Sequence, residues 1–99
     1  MTIEFLEFCM RPELRERFVQ LDSEIWDVFL KQQAAFVRKE IWLDADDGGR
    51  IVVMVEWSDR DRWKSIPEAR IAEVEREFDD RFGHAYELLS SREFQVRKR

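Results

Sequence analysis

The segment Ile51–Trp57 is the feature that most limits how this chain can fold. It reads Ile-Val-Val-Met-Val-Glu-Trp, so odd and even positions are both apolar until Glu56. Successive side chains of a strand point to opposite faces of a sheet, and a strand that is apolar on both faces is usually central and covered on both sides. The chain therefore needs a sheet with helices on one face and further cover on the other.

Hydrophobic periodicity on either side of this strand predicts the remaining elements. We predict a strand up to about Met10, a helix from Pro12 to about Gln33, a strand from Phe36 to Asp44, the strand Ile51–Trp57, a helix from Pro67 to about Phe82 and a strand from Ala85 to Val96. Two helices that each cross between strands, with a hairpin in the middle, predict an α+β, ferredoxin-like βαββαβ fold. Its antiparallel sheet carries both helices on one face. With 99 residues, we expect one domain over residues 1–99.

Turn and cap residues support these boundaries. The run from Ala45 to Gly49 predicts a hairpin turn, because Asp side chains start turns and Gly accepts positive φ. Ser58 is expected to cap a short helical turn through Trp63, and Gly83 is expected to end the second long helix.

The first helix is apolar over more than one face. Its predicted sheet-facing stripe is Leu14, Phe18, Leu21, Ile25, Val28 and Phe29. A second apolar group, Val19, Trp26 and Leu30, lies about a quarter to a third of a turn away. The other helix, a partner chain or a ligand must cover this second group.

Strand parity assigns side chains to the two faces of the sheet. The helix-facing set is Leu6, Phe8, Ile41, Leu43, Val53 and Val55. The open-face set is Ile3, Phe5, Glu7, Cys9, Phe36, Arg38, Glu40, Trp42, Val52, Met54 and Glu56. An exposed apolar patch of this size is unusual on a monomer, so we expect a homodimer that pairs through the sheet face into a dimeric α/β barrel. The charged members would then need partners across the interface.

Composition excludes several classes of protein. The net charge of −5 argues against a nucleic-acid partner, and the strand Ile51–Trp57 lacks the Lys/Arg-Gly-aromatic signature of RNA-recognition domains. We interpret the basic tail Arg97–Arg99 as a solvated end. The single cysteine, Cys9, provides neither a disulfide framework nor a multi-cysteine metal site. No apolar run is long enough to span a membrane, and no targeting segment is recognisable, so we expect a cytoplasmic protein.

The whole chain resembles the dimeric α/β-barrel superfamily that includes antibiotic-biosynthesis monooxygenases and related haem-degrading enzymes. More narrowly, it is similar to an uncharacterised small family found mainly in cyanobacteria. The residues that carry the resemblance are Ile3-Glu4-Phe5, Pro12-Glu13-Leu14-Arg15-Glu16-Arg17-Phe18, Asp22-Ser23-Glu24-Ile25-Trp26, Phe36, Lys39-Glu40-Ile41-Trp42, Trp57, Trp63, Tyr86-Glu87-Leu88 and Arg92-Glu93-Phe94-Gln95-Val96.

The resemblance implies two possible catalytic sets, and this chain departs from both. Haem-degrading members use an Asn–Trp–His set with the His on the second helix, whereas cofactor-free monooxygenases tend to use Asn with Trp, Tyr and Arg around a phenolic substrate. This chain has no asparagine, and its one histidine, His84, follows that helix. Neither set transfers to it residue by residue. We expect no cofactor and no metal, and the catalytic residues are not identified.

Nine residues with aromatic or ionisable side chains are candidates for a pocket or an interface. They are Glu7, Trp26, Arg38, Glu40, Trp42, Glu56, Trp63, His84 and Tyr86. The carboxylates beside Arg38 are either an acid–base pair or, as we favour, Arg–Glu bridges that fix the dimer register. The tryptophans line an aromatic pocket or form core and interface. His84 is a general base, a haem ligand or an ordinary surface histidine.

Two functions remain open. One is a monooxygenase-like enzyme, without a cofactor, that acts on a small aromatic molecule in a cavity between sheet and helices. The other is a non-catalytic homodimeric module that binds a small molecule or a protein. A gap between sheet and helices that is filled by side chains would favour the second.

Overall fold

The computed structural model describes all 99 residues. Its elements are β1 (Thr2–Cys9), a 3₁₀ turn (Pro12–Leu14), α1 (Arg15–Lys31), β2 (Phe36–Leu43), β3 (Arg50–Trp57), α2 (Arg60–Lys64), α3 (Glu68–Phe82) and β4 (Glu87–Gln95). The strands form one antiparallel sheet in the order β2-β3-β1-β4. The predicted ferredoxin-like fold is therefore confirmed, with β3 and β1 as its central strands. None of the helices has the length and apolar character needed to cross a membrane.

The core lies between the sheet and the helices α1 and α3. Phe78 and Trp57 are each 1% exposed, and Phe18 of α1 contacts both Phe78 and Phe82 edge to face. The predicted α1 stripe is buried with one exception: Val28 is 55% exposed, because it lies at the outer rim of a groove between α1 and α3.

Phe36 faces the helices, which corrects its predicted place on the open face. The β2–β3 register shifts between Phe36 and Arg38, so Phe36 lies opposite Trp57 while Arg38 lies opposite Glu56. The extra residue, Val37, interrupts the simple alternation from which parity was read. The Phe36 ring packs 6.2 Å from that of Trp57, on the helix side.

The β2–β3 turn forms as predicted, through Asp side-chain hydrogen bonds but without a positive-φ glycine. The Asp44 carboxylate accepts hydrogen bonds from the backbone N–H groups of Asp46 and Asp47, both at 2.8 Å. Neither glycine of the turn has positive φ; that conformation occurs at Gly83, where α3 ends as predicted. Gly49 is required by close approach, since a Cβ there would lie 2.2 Å from the carbonyl oxygen of Met10.

The short helix α2 is capped by Asp59, not by Ser58 as predicted. The Asp59 carboxylate accepts from the N–H groups of Asp61 at 2.8 Å and Arg62 at 3.3 Å. Ser58 lies one residue before the cap position, and its N–H donates to the carbonyl of Ala35 at 2.8 Å, which continues the end of β3.

We predict that Gly49→Ala lowers the free energy of unfolding by about 1–3 kcal/mol, because the new methyl group forces the Met10 backbone away. This shift would also strain the 2.8 Å hydrogen bond from Met10 N–H to the Gly49 carbonyl. Gly48→Ala is the matched control, since its Cβ would meet only Pro12 Cβ at an ordinary 3.6 Å. Denaturant unfolding of both variants measures the difference, and equal losses would contradict this explanation.

Candidate functional site

A cavity of about 270 Å³ lies between the helix-facing side of the sheet and the helices. The strands β1 and β3 form its floor, and α1, α3 and α2 form its walls. Fifteen of its nineteen lining residues are hydrophobic. Three of the sequence-predicted candidates, Trp26, Trp63 and Tyr86, line it together.

The short helix α2 supplies one wall of the cavity through Trp63. The Trp63 indole stacks on Trp57, with ring centroids 5.6 Å apart and planes within 7°. Glu93 of β4 holds this helix against the sheet through Arg60 at 2.7 Å and Lys64 at 2.8 Å. The position of Trp63 therefore depends on both ring stacking and ion pairs at the sheet edge.

Tyr86 lies in a cluster of aromatic rings at the other end of the cavity. The rings of Phe8, Phe18, Phe78 and Phe82 surround it, with centroids 5.3–5.9 Å from its own. Its hydroxyl donates a hydrogen bond to the Asp79 carboxylate. Burial, together with this carboxylate, raises the pKa of Tyr86, so its phenol stays protonated near neutral pH.

Glu4 is the partly buried carboxyl group of the cavity that has no ion-pair partner; Glu75, the other unpaired carboxylate of the lining, is exposed. Glu4 lies on β1, in step with Leu6 and Phe8, and accepts a hydrogen bond from the Trp57 indole N–H at 3.1 Å. None of the ion pairs in the molecule includes it. Burial raises the pKa of Glu4, and the Trp57 hydrogen bond offsets part of this effect. Glu4 is consequently a better proton acceptor than an exposed glutamate.

Lys39 provides the one ammonium group in the cavity lining, and two carboxylates already neutralise it. Its Nζ contacts the Asp22 carboxylate and lies 2.7 Å from Asp27 Oδ1. The side chains of Lys39 and Asp22 are only 7% and 5% exposed. Burial raises the pKa of Asp22 while Lys39 opposes the rise. Removing Lys39 would leave the buried Asp22 carboxylate uncompensated, which is costly, whereas without Asp22 the lysine would still pair with Asp27.

The open sheet face carries a second cluster, centred on Glu56. Although it points away from the helices, Glu56 is only 1% exposed. Arg38 Nε lies 2.8 Å from its carboxylate, and Arg99 pairs with its other oxygen. These partners belong to the same chain, which corrects the expectation that the charges need partners across an interface. Arg99 is accordingly an ion-pair partner of Glu56; the tail Arg97–Arg99 is exposed as predicted, but Arg99 has this structural contact as well.

Glu40 and Trp42 extend this cluster along β2. Glu40 pairs with Arg38 and accepts a hydrogen bond from the Trp42 indole N–H at 2.8 Å. The indole bond and the Arg38 charge lower the pKa of Glu40. Glu40 therefore stays ionised, and the arrangement has the bridge character favoured above instead of that of an acid–base pair.

The two remaining candidates lie apart from both sites. Glu7 faces the open side near Arg50, with 3.8 Å between its Oε2 and Arg50 Nη1. His84 is exposed in the turn after α3, where its ring meets Phe82 edge to face at 5.7 Å. The nine candidates thus divide into a cavity group, an open-face group and an isolated surface histidine.

Sequence reasoning missed the four charged residues that line the cavity: Glu4, Asp22, Lys39 and Glu75. A usable signal was present in the pattern. Glu4 alternates in phase with Leu6 and Phe8, and Asp22 falls on the buried side of α1. Charged residues at inward positions are rare unless they are paired or functional.

Comparison with solved structures places this geometry in a known fold. A monooxygenase from Streptomyces coelicolor, in complex with nanaomycin D, superposes with a TM-score of 0.77 at 13% identity, over 99% of this chain and 88% of that one. SnoaB, a cofactor-independent oxygenase from Streptomyces nogalater, gives 0.68 at 17% identity, over 99% and 95%. A dimeric ferredoxin-like protein from an uncultured marine organism gives 0.77 at 13% identity, over 100% and 97%.

The chain has the fold of the antibiotic-biosynthesis monooxygenases. The fold expected from the sequence resemblance is therefore confirmed. The narrower likeness to a cyanobacterial family stays a prediction. No family model matches the sequence, and no curated protein matches it either. Because the identities are low, the likeness shows the fold and leaves the reaction to be argued from the site.

Proposed function

We propose that this chain is a monooxygenase-like enzyme that needs no cofactor and acts on a small aromatic molecule in the cavity between sheet and helices. The observation that carries the proposal is an aromatic-lined cavity that contains one partly buried carboxyl group without a cationic partner, Glu4, while the other unpaired carboxylate of the lining, Glu75, is exposed. The fold shared with a cofactor-independent oxygenase supports the reaction class.

The size and lining of the cavity match a small aromatic ligand. Its volume of about 270 Å³ is near the lower end of the range for small-molecule pockets, roughly 300–1,000 Å³. The half-buried indole of Trp26 offers a flat apolar surface on which an aromatic ring can stack, while Trp57 and Trp63 stack on each other and add to the apolar lining. A compact molecule of one or two rings suits this space better than a long chain.

Glu4 is the group that would exchange a proton with the substrate. Its carboxylate removes a proton from an O–H, N–H or activated C–H group in conjugation with the substrate ring, and the electron-rich product reduces O₂. The substrate carbon loses two hydrogens and keeps one oxygen as a carbonyl, while the second oxygen leaves as water. The substrate supplies all the electrons in this balance, so the protein contributes binding, desolvation and proton transfer.

Two features of the chain bear on this assignment. The asparagine used by the enzymes that the sequence resembles is absent, and His84 lies outside the cavity. Glu4 takes the role of proton acceptor in our proposal because it is the cavity group whose environment favours that chemistry. The competing function is ligand binding without turnover. A sheet–helix gap filled by side chains would have favoured the non-catalytic module, and the gap instead contains a cavity.

We also propose that the open sheet face pairs with a second copy of the chain. Trp42 is 45% exposed and Phe94 is 40% exposed on this face, and Phe5 packs against Phe94. The ion pairs around Glu56 are already formed within one chain, so the face can be covered without leaving that buried carboxylate unpaired. The dimeric ferredoxin-like protein of the same fold supports this assembly.

We predict that Glu4→Gln lowers kcat for an accepted substrate by roughly 10²–10⁴-fold, because the amide keeps the Trp57 hydrogen bond but cannot take a proton. The assay is oxygen uptake with a panel of phenols, anilines and activated aromatic methylene compounds. Glu16→Gln, on the exposed side of α1, is the charge-matched control and should retain the full rate. A panel member that is turned over equally by wild type and Glu4→Gln would contradict the role of Glu4.

We predict a dimer of twice 12.1 kDa at micromolar concentration, measured by light scattering after gel filtration. Trp42→Glu should shift it to the monomer, because the new carboxylate lies in the proposed apolar interface beside Glu40. Val28→Glu, which alters an exposed side chain on the helix side, should leave the dimer intact. A monomeric wild type would contradict the pairing.

A further inference from the structure

We infer that the ligand of the cavity is a planar aromatic molecule that carries a protonated nitrogen in conjugation with its ring, and that this nitrogen pairs with Glu4. The inference rests on the proposed function in taking this cavity as the ligand site, and it narrows the substrate class of that site. An amidine or a protonated nitrogen heterocycle has the required chemistry.

The charged groups around the cavity disfavour an anionic ligand. Its lining contains three carboxylates, Glu4, Asp22 and Glu75, and one ammonium, that of Lys39. Lys39 already contacts Asp22 and Asp27, so no free cation remains among the lining residues to bind a carboxylate or phosphate. An anion would enter a low-dielectric space of the same sign, which is costly.

The Glu4 carboxyl group has no cationic partner within the protein. One oxygen accepts the Trp57 indole N–H at 3.1 Å, and the other has no hydrogen-bond donor in the protein. The other charged groups that act on Glu4 are Lys64, Glu93 and Lys39. Lys64 is bonded to Glu93 and Lys39 to its two aspartates, so their charges are compensated. A ligand N–H⁺ would supply the missing donor in a charge-assisted hydrogen bond.

The aromatic lining is also suited to a cation. Cations are attracted to the faces of aromatic rings, and tryptophan is the most favourable of these. The structure already contains one such contact, since Lys64 Nζ lies 4.0 Å from the centroid of the Trp63 ring. The rings of Trp26, Trp57 and Trp63 all border the cavity. Trp57 and Trp63 stack on each other, so the half-buried Trp26 is the ring on which a flat cation would stack while its nitrogen reaches Glu4.

This ligand class agrees with the proposed chemistry. A nitrogen–hydrogen group paired with Glu4 is already placed for proton transfer to the carboxylate. Because the paired cation keeps Glu4 ionised, the proton moves only as the ring gives up an electron to O₂ and its N–H group becomes more acidic. The pairing thus holds the acceptor in place for that step.

The test uses three nearly isosteric probes that differ in head-group charge: benzamidine (cationic), benzamide (neutral) and benzoate (anionic). Calorimetric titration of the wild-type protein near neutral pH should give at least about tenfold tighter binding for benzamidine than for benzamide, with benzoate the weakest. The NMR resonance of the Trp57 indole N–H should shift with benzamidine, because its acceptor gains a second donor.

Glu4→Gln should abolish the preference for benzamidine while benzamide binds as before. Glu16→Gln should preserve the wild-type order of affinities. Equal binding of benzamidine and benzamide to the wild type, or a preference for benzoate, would overturn the inference yet leave the aromatic-ligand cavity of the proposed function standing. Failure of all three probes to bind or to move the Trp57 resonance would count against both.

Discussion

The indole of Trp57 belongs to the core, borders the cavity and donates a hydrogen bond to the candidate acid–base group, Glu4. It is 1% exposed, stacks on Trp63 of α2 and packs against Phe36 of β2. Its N–H group, which must be bonded when buried, donates to Glu4. A single side chain thus orients one wall of the cavity and the carboxyl group inside it. Because the buried Trp57 indole needs a hydrogen-bond acceptor, the partly buried carboxyl group of Glu4 lies beside it.

Charged side chains are compensated differently on the two faces of the sheet. On the open face, Glu56 is buried but lies between Arg38 and Arg99, so its charge is fully paired within the chain. On the helix face, Lys39 is similarly satisfied by two aspartates, whereas Glu4 is left with a neutral donor alone. Paired charges are compatible with a structural role, while a partly buried carboxyl group without a cationic partner is costly and therefore a candidate for a functional role. This contrast separates Glu4 from the other charged residues.

The sequence was informative about the fold because its strongest signal was periodic. The strand Ile51–Trp57 predicted a central position, and the helices around it predicted the order of elements; both are confirmed. Phe36 was assigned to the wrong face of the sheet, because one extra residue in β2 reverses the alternation of inward and outward side chains. Periodicity alone does not locate such a bulge. The Gly49 turn was predicted from conformational freedom, whereas the actual constraint is contact with Met10, a residue from another part of the chain.

The candidate site was less accessible from the sequence. Trp26, Trp63 and Tyr86 were recognised as aromatic candidates, and they do line one cavity. Glu4 was missed because a glutamate near the end of a strand resembles a solvent-facing residue until the Trp57 hydrogen bond is known. The pairing of Arg99 with Glu56 joins positions 43 residues apart and has no local signature.

The most direct test of this account is the pKa of the Glu4 carboxyl group, measured by carbon-detected NMR titration in the free protein and with saturating benzamidine. We expect a pKa above the ordinary glutamate value of about 4.3 in the free protein, because burial disfavours the charged form. Benzamidine should lower it, because a bound cation favours the carboxylate. An ordinary pKa that is unchanged by the ligand would contradict the central claim that Glu4 is a buried, unpaired group that awaits a cationic partner.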